Sequence, residues 1–283
     1  MPDHVHGAQR ASRPRSTAVV IALLATLLAI GGNIVTTPQP AAAVARHAPK
    51  VVIVVGPVGS ETAHYKQVAK AVARQAESYG ARVVQIYSPN ATWERVTRSA
   101  RNANVFVYLG HGNGWPSPYA PFQTRTKNGL GLNAAAGKGN HNTKYFGERY
   151  VAEAVDLAPN AVVILMRLCY ASGNPEWGRP SPTLQVAKQR VDNYGSGFLR
   201  TGARAVFAEG VRSAHYILHG LFKTNRTMRQ IFWSAAHAKR KYAAGHDPSR
   251  SPGWAQALLD PSSPGSYYRS VVGDLGMTAR EWR

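Results

Sequence analysis

The 283-residue sequence is short of cysteine, of acidic side chains and of long apolar runs, and each shortage excludes something. With a single cysteine, Cys169, no disulfide can close within the chain, so this thiol is buried, reactive or intermolecular. The apolar run from Ala18 to Ile30 falls well short of the ~20 residues a spanning helix needs, and Gly31, Gly32 and Asn33 interrupt it. There is no His-Glu-x-x-His and no paired cysteine, so no metal centre is expected. The glycine cluster Gly110–Gly114 lacks the Lys-Ser/Thr ending of a phosphate cradle and holds a histidine instead, which argues against nucleotide binding. No cofactor is expected, and no internal repeat is found.

What the N-terminus does contain is ordered. A basic leader with Arg10, Arg13 and Arg15 precedes the apolar run, and a small-residue tract ends near Ala43-Val44-Ala45. That order is a signal peptide over residues 1–45, and it places the chain outside the cytoplasm. Without an Arg-Arg pair the route is Sec-type rather than twin-arginine; left uncleaved, the same segment would act as an anchor. Lys and Arg number 34 against 14 Asp and Glu, a formal charge of +20, and residues 1–45 hold little of it. A cationic surface of this kind favours anionic partners such as a cell-envelope surface. The basic residues form no arginine-rich arm and match no nucleic-acid-binding module, which argues against DNA or RNA.

From Val51 onward the pattern alternates. Val51–Val55 is a continuous β-branched run closed by Gly56-Pro57, the mark of a strand buried on both faces. An amphipathic helix over Glu61–Tyr79 follows, then a strand at Arg82–Tyr87, a helix at Asn90–Ala100 and a strand at Asn104–Leu109. Residues 113–145 show no period and are rich in Gly, Pro, Asn and aromatic rings, which predicts a long ordered loop over a site. A helix near Phe146–Leu157, the strand Ala161–Leu168, a helix from Thr183 to Leu199 and the strand Ala205–Ala208 complete the alternation. This is an α/β sandwich, α/β/α around a mostly parallel sheet, over residues 46–212. Two helices split near Thr224-Asn225 and a tail rich in Pro, Ser and Gly then predict a C-terminal helical extension over 213–283.

Ligands of open parallel sheets bind at the carboxyl ends of strands, near the point where strand order reverses. Two strands end there on reactive groups, one on Gly110-His111-Gly112 and one on Cys169. Neutral imidazole can take the proton of a thiol, and the thiolate attacks carbonyl carbon. Gly112 lets backbone approach a substrate closely, and the amides of Gly112 and Cys169 could converge on an oxyanion.

At these blocks the chain resembles the caspase-like cysteine peptidases, the group of caspases, legumains, gingipains and clostripain. In that group a hydrophobic strand ends in His-Gly, and a later one ends in the nucleophilic cysteine. Val105–Leu109 with Gly110-His111-Gly112, and Val162–Leu168 with Cys169, keep that order, and Gly197–Val206 looks like the helix and strand that follow. The resemblance covers roughly residues 50–210. It implies a three-layer sandwich that hydrolyses a peptide or protein substrate, with Cys169 as nucleophile and His111 as base.

Other residues have weaker positions. Glu209 follows the strand Ala205–Ala208 and Asp192 lies in the preceding helix; either would suit an acidic determinant for a basic substrate side chain. Trp115 and Tyr119 are candidate walls of the cleft. His215 and His219, spaced i, i+4, lack a third ligand and read as helix-packing histidines. The rival to a peptidase is a non-catalytic module of the same fold that binds an anionic envelope component or a peptide.

Overall fold

The computed structural model describes residues 48–283; the signal peptide expected over residues 1–45 lies outside the described residues. The β-branched runs fall where a parallel sheet needs them. Strand β1 (Lys50–Val55) pairs in parallel with β2 (Arg82–Tyr87) on one side and β3 (Ala103–Leu109) on the other. Beyond β3 come β6 (Leu157–Met166) and β7 (Ala203–Glu209), both parallel to it. Helices α1 (Thr62–Ser78), α2 (Trp93–Ala100), α3 (Glu148–Ala154) and α4 (Leu184–Phe198) form the crossovers.

Alternation along each strand divides the core. On β3, Phe106 and Tyr108 join one buried cluster with residues of α2, α3 and α4, while Val105, Val107 and Leu109 join another with α1. Both faces of the sheet are therefore covered by helices, which explains why these strands read as unbroken apolar runs. The α/β/α sandwich expected from the sequence is present. Among the described residues no helix is long and apolar enough to cross a membrane.

Two expectations are corrected. Residues 113–145 are not all loop, because β4 (Leu130–Asn133) and β5 (Thr143–Phe146) pair antiparallel as a separate small sheet. Four-residue strands, one of them Leu-Gly-Leu-Asn, are too short to show a period, and backbone from elsewhere helps to hold them: the Ala91 amide donates to the strand's own Asn133 Oδ1.

The segment past residue 212 is also more than a helical extension. It supplies α5 (His215–Lys223), α6 (Met228–Trp233) and α7 (Ala279–Trp282), which pack on the α1 face, but it supplies strands as well. From β8 (Ala244–His246), β9 (Gln256–Leu259) and β10 (Arg269–Gly273), the last pairs antiparallel with β7, and the sheet reads β2-β1-β3-β6-β7-β10-β9-β8. The described residues, 48–283, lie within one compact unit. A tail broken by Pro, Ser and Gly hides such strands because each pairs for only a few residues.

Candidate active site

Strand order reverses at β1, with β2 to one side and β3 to the other, yet the crevice there is filled. Gly56, at the end of β1, packs against β4 so closely that a β-carbon on it would stand 2.3 Å from the Gly131 carbonyl oxygen. One strand further, β3 and β6 lie side by side. Leu109 is paired with Met166, so His111 and Cys169 follow neighbouring parallel strands at the same edge of the sheet.

Their segments approach each other through Gly112, where an added β-carbon would lie 2.2 Å from the Cys169 carbonyl oxygen. Cys169 packs against the core cluster that contains Leu130 and Leu132 of β4. His111 backs onto Gly131 between those leucines, where an added β-carbon would lie 3.1 Å from His111 Cβ. Tyr108 fixes this arrangement from below. Its buried hydroxyl accepts from the Gly131 amide at 2.9 Å and lies 2.7 Å from the Gly131 carbonyl and 3.1 Å from that of His111.

The turn carrying Cys169 is tightly wound. Arg167 and Tyr170, on either side of it, have φ values of 60° and 70°, left-handed conformations that cost non-glycine residues on the order of 1–3 kcal/mol each. Surrounding bonds over-determine the turn: Arg167 N donates to Glu209 O at 2.9 Å, Tyr170 N to Asn174 O at 2.7 Å, and Ala171 N to Cys169 O at 2.9 Å. The cysteine is half-buried rather than sealed, and His111 reaches solvent. Gly112 lies against the Cys169 backbone. Among the described residues neither the Gly112 nor the Cys169 amide donates to another backbone carbonyl, and the Cys169 amide lies against its own sulfur.

Electrostatics set the resting protonation state. Desolvation pushes the Cys169 thiol up to about 11, and the Glu176 carboxylate adds to this. Desolvation also holds His111 below its ordinary 6.5, with Glu176 opposing. At neutral pH the thiol and the imidazole thus both rest uncharged, within the field of one carboxylate.

Glu176 carried no signal in the sequence, because it lies in an irregular loop and acquires its place through Tyr119 and Arg179. The Tyr119 hydroxyl donates to Glu176 Oε2 at 2.8 Å and accepts from Arg179 at 3.0 Å, tying the loop after β3 to the loop after Cys169. Tyr119 therefore bridges the rims of the site. Trp115 serves packing: its ring lies 5.9 Å from Phe122, and its carbonyl accepts from Asn193.

Both acidic candidates for a basic substrate side chain are corrected. Glu209 is only 1% exposed, accepts from Tyr216 and Arg269, and lies 3.3 Å from His237, so its charge is already compensated. Asp192 is buried on α4 and accepts from the Arg250 and Ser251 amides, away from the strand ends. His215 contacts Gln75 and His219 faces Tyr79, so both histidines are directed at α1.

No family model matches the chain, and no curated protein matches it. Among solved structures it is similar to that of the Arg-specific cysteine proteinase gingipain R, with a TM-score of 0.35 and 12% sequence identity. The match covers 81% of this chain and 61% of that one.

Proposed function

We propose that this chain is an exported caspase-like cysteine peptidase, with Cys169 as nucleophile and His111 as general acid and base. The observation that carries the reading is that the His111 and Cys169 segments follow neighbouring parallel strands and approach each other through Gly112, beside a turn held in a left-handed conformation. Export rests on the leader sequence alone.

The chemistry follows from the resting state. As the substrate carbonyl arrives, the imidazole takes the Sγ proton and sulfur bonds to the carbonyl carbon, so the carbonyl π electrons move onto oxygen. In this reading the amides of Gly112 and Cys169 receive that oxyanion. The imidazolium then returns its proton to the departing amine, the C–N bond breaks, and a thioester remains. Water, deprotonated by His111, attacks the thioester and releases the acid and the thiol.

The test labels the chain, expressed without residues 1–45, with a thiol-reactive acyl probe and compares it with Cys169→Ala and His111→Ala. Labelling is expected in the unaltered chain, absent in Cys169→Ala and strongly slowed in His111→Ala. Unchanged rates in His111→Ala would remove the dyad.

A second reading, binding to an anionic envelope surface without catalysis, is favoured by one patch. Arg226, Arg229 and Arg240 surround Trp233 in a shallow hollow whose lining includes no carboxylate. That reading predicts retention on envelope material that survives Cys169→Ala and is lost at high salt.

A further inference from the structure

The short strands β4 and β5 sort their side chains between two faces. Leu130 and Leu132 of β4 and Phe146 of β5 lie together in the buried core cluster. Gly131 and Tyr145 are paired directly opposite each other, and Thr143 stands two residues along from Tyr145, so these three share the other face. That is the face His111 occupies. A β-carbon on Gly131 would lie 3.1 Å from His111 Cβ and 3.2 Å from Thr143 Cγ2. Tyr145 therefore leaves β5 on the imidazole side, and Gly131 puts no side chain between its ring and His111.

Four tyrosines lie in the field of the thiol. Burial raises the phenols of Tyr65, Tyr145, Tyr170 and Tyr194, and a charge on Cys169 raises each of them further. Three of the four hydroxyls are engaged or out of reach. That of Tyr65 donates to the Arg167 carbonyl at 3.5 Å, and those of Tyr170 and Tyr194 are buried. Tyr145 is only half-buried, and its hydroxyl makes no hydrogen bond among the described residues. Its phenol also feels Glu176 and Tyr119, the residues that tie the rims of the site together, which sets it inside that frame. Held above its ordinary value, the phenol keeps its proton at neutral pH and is a donor without an acceptor.

We propose that the Tyr145 hydroxyl donates to the oxyanion formed at Cys169, as a side-chain member of the oxyanion site and a catalytic residue. The proposal rests on the peptidase reading and adds to it a donor that the backbone is short of. Of the two amides in that reading, the one of Cys169 lies against its own sulfur. As sulfur bonds to the carbonyl carbon and the π electrons move onto oxygen, the phenol donates a hydrogen bond to that oxygen and keeps its proton. When the C–N bond breaks, the carbonyl re-forms and the hydrogen bond weakens. A neutral donor fixed on a paired strand costs no reorganisation as the charge develops.

The experiment compares Tyr145→Phe with the unaltered chain in two reactions of the same sulfur. Acylation by the thiol-reactive acyl probe passes through an oxyanion, whereas alkylation by iodoacetamide does not. The variant is expected to acylate about 10²-fold more slowly, the usual cost of losing one oxyanion donor. It should alkylate at the original rate and melt at the original temperature. With a peptide substrate the loss should fall on kcat and leave KM in place, because the bond is made only in the transition state. Acylation at the original rate would overturn the inference. So would an equal slowing of both reactions, which would mean that Tyr145 acts on the sulfur or on the fold. Either of those results leaves the peptidase reading standing. An unaltered chain that alkylates but does not acylate would instead remove the peptidase reading, and this inference with it.

Discussion

The carbonyl oxygen of Cys169 stands 2.2 Å from where a β-carbon on residue 112 would be, so only glycine lets the loop after β3 lie against the turn after β6. Tyr194 closes the same space, with its hydroxyl 2.7 Å from that position. The approach of the imidazole segment to the thiol segment thus depends on one missing side chain.

Gly112→Ala is therefore expected to push the two segments apart. The rate of Cys169 labelling should fall on the order of 10²-fold, because small misplacement of a reacting group is costly. Stability should fall by about 1–3 kcal/mol, the usual cost of overpacking. Labelling kinetics and a thermal melt check both; an alanine variant that labels at the original rate would show that the contact does not position the dyad.

The pH profile carries its own sign. Only neutral His111 can accept the thiol proton, and its pKa is held below 6.5. Peptidase kcat/KM should accordingly fall as pH drops through a midpoint below 6.5, and remain high from there towards the ionisation of Cys169 near 11. Glu176 raises both groups, so Glu176→Gln should move the acid limb to lower pH and bring the thiolate absorbance titration of Cys169 down. A shift of either in the opposite direction contradicts this assignment.

Tyr108→Phe removes a buried hydroxyl that holds β4 and lies at the His111 carbonyl. It leaves the Gly131 amide without its partner, at an expected cost of about 1–3 kcal/mol. Because His111 rests against Gly131, kcat should fall more than KM rises. Equal stability in urea unfolding would mean that the hydroxyl contributes nothing.

Arg269→Met strands Glu209 and Asp260, both at 1% exposure, as buried charges without their cation. The expected loss is about 3–5 kcal/mol. Adding Glu209→Gln and Asp260→Asn should recover part of it, since the penalty comes from the unpaired carboxylates rather than from lost packing. Urea unfolding of the single and triple variants measures both.

The parallel strands and their helices were legible in the sequence because burial on both faces demands continuous β-branched runs such as Val51–Val55, and His111 and Cys169 stood out as reactive groups at the ends of two of them. The residues that surround the pair were not legible. Glu176 enters its field through a loop tie to Tyr119, Gly131 supports His111 from a four-residue strand with no readable period, and β10 joins the sheet from a tail that read as irregular. Glu209 shows the difference most sharply. Its position at a strand end follows from local pattern, but whether its charge is free depends on Arg269, a partner sixty residues along the chain. Periodicity and propensity are local properties and can be read along a sequence, whereas the pairing of a buried charge is decided only when distant segments close around it.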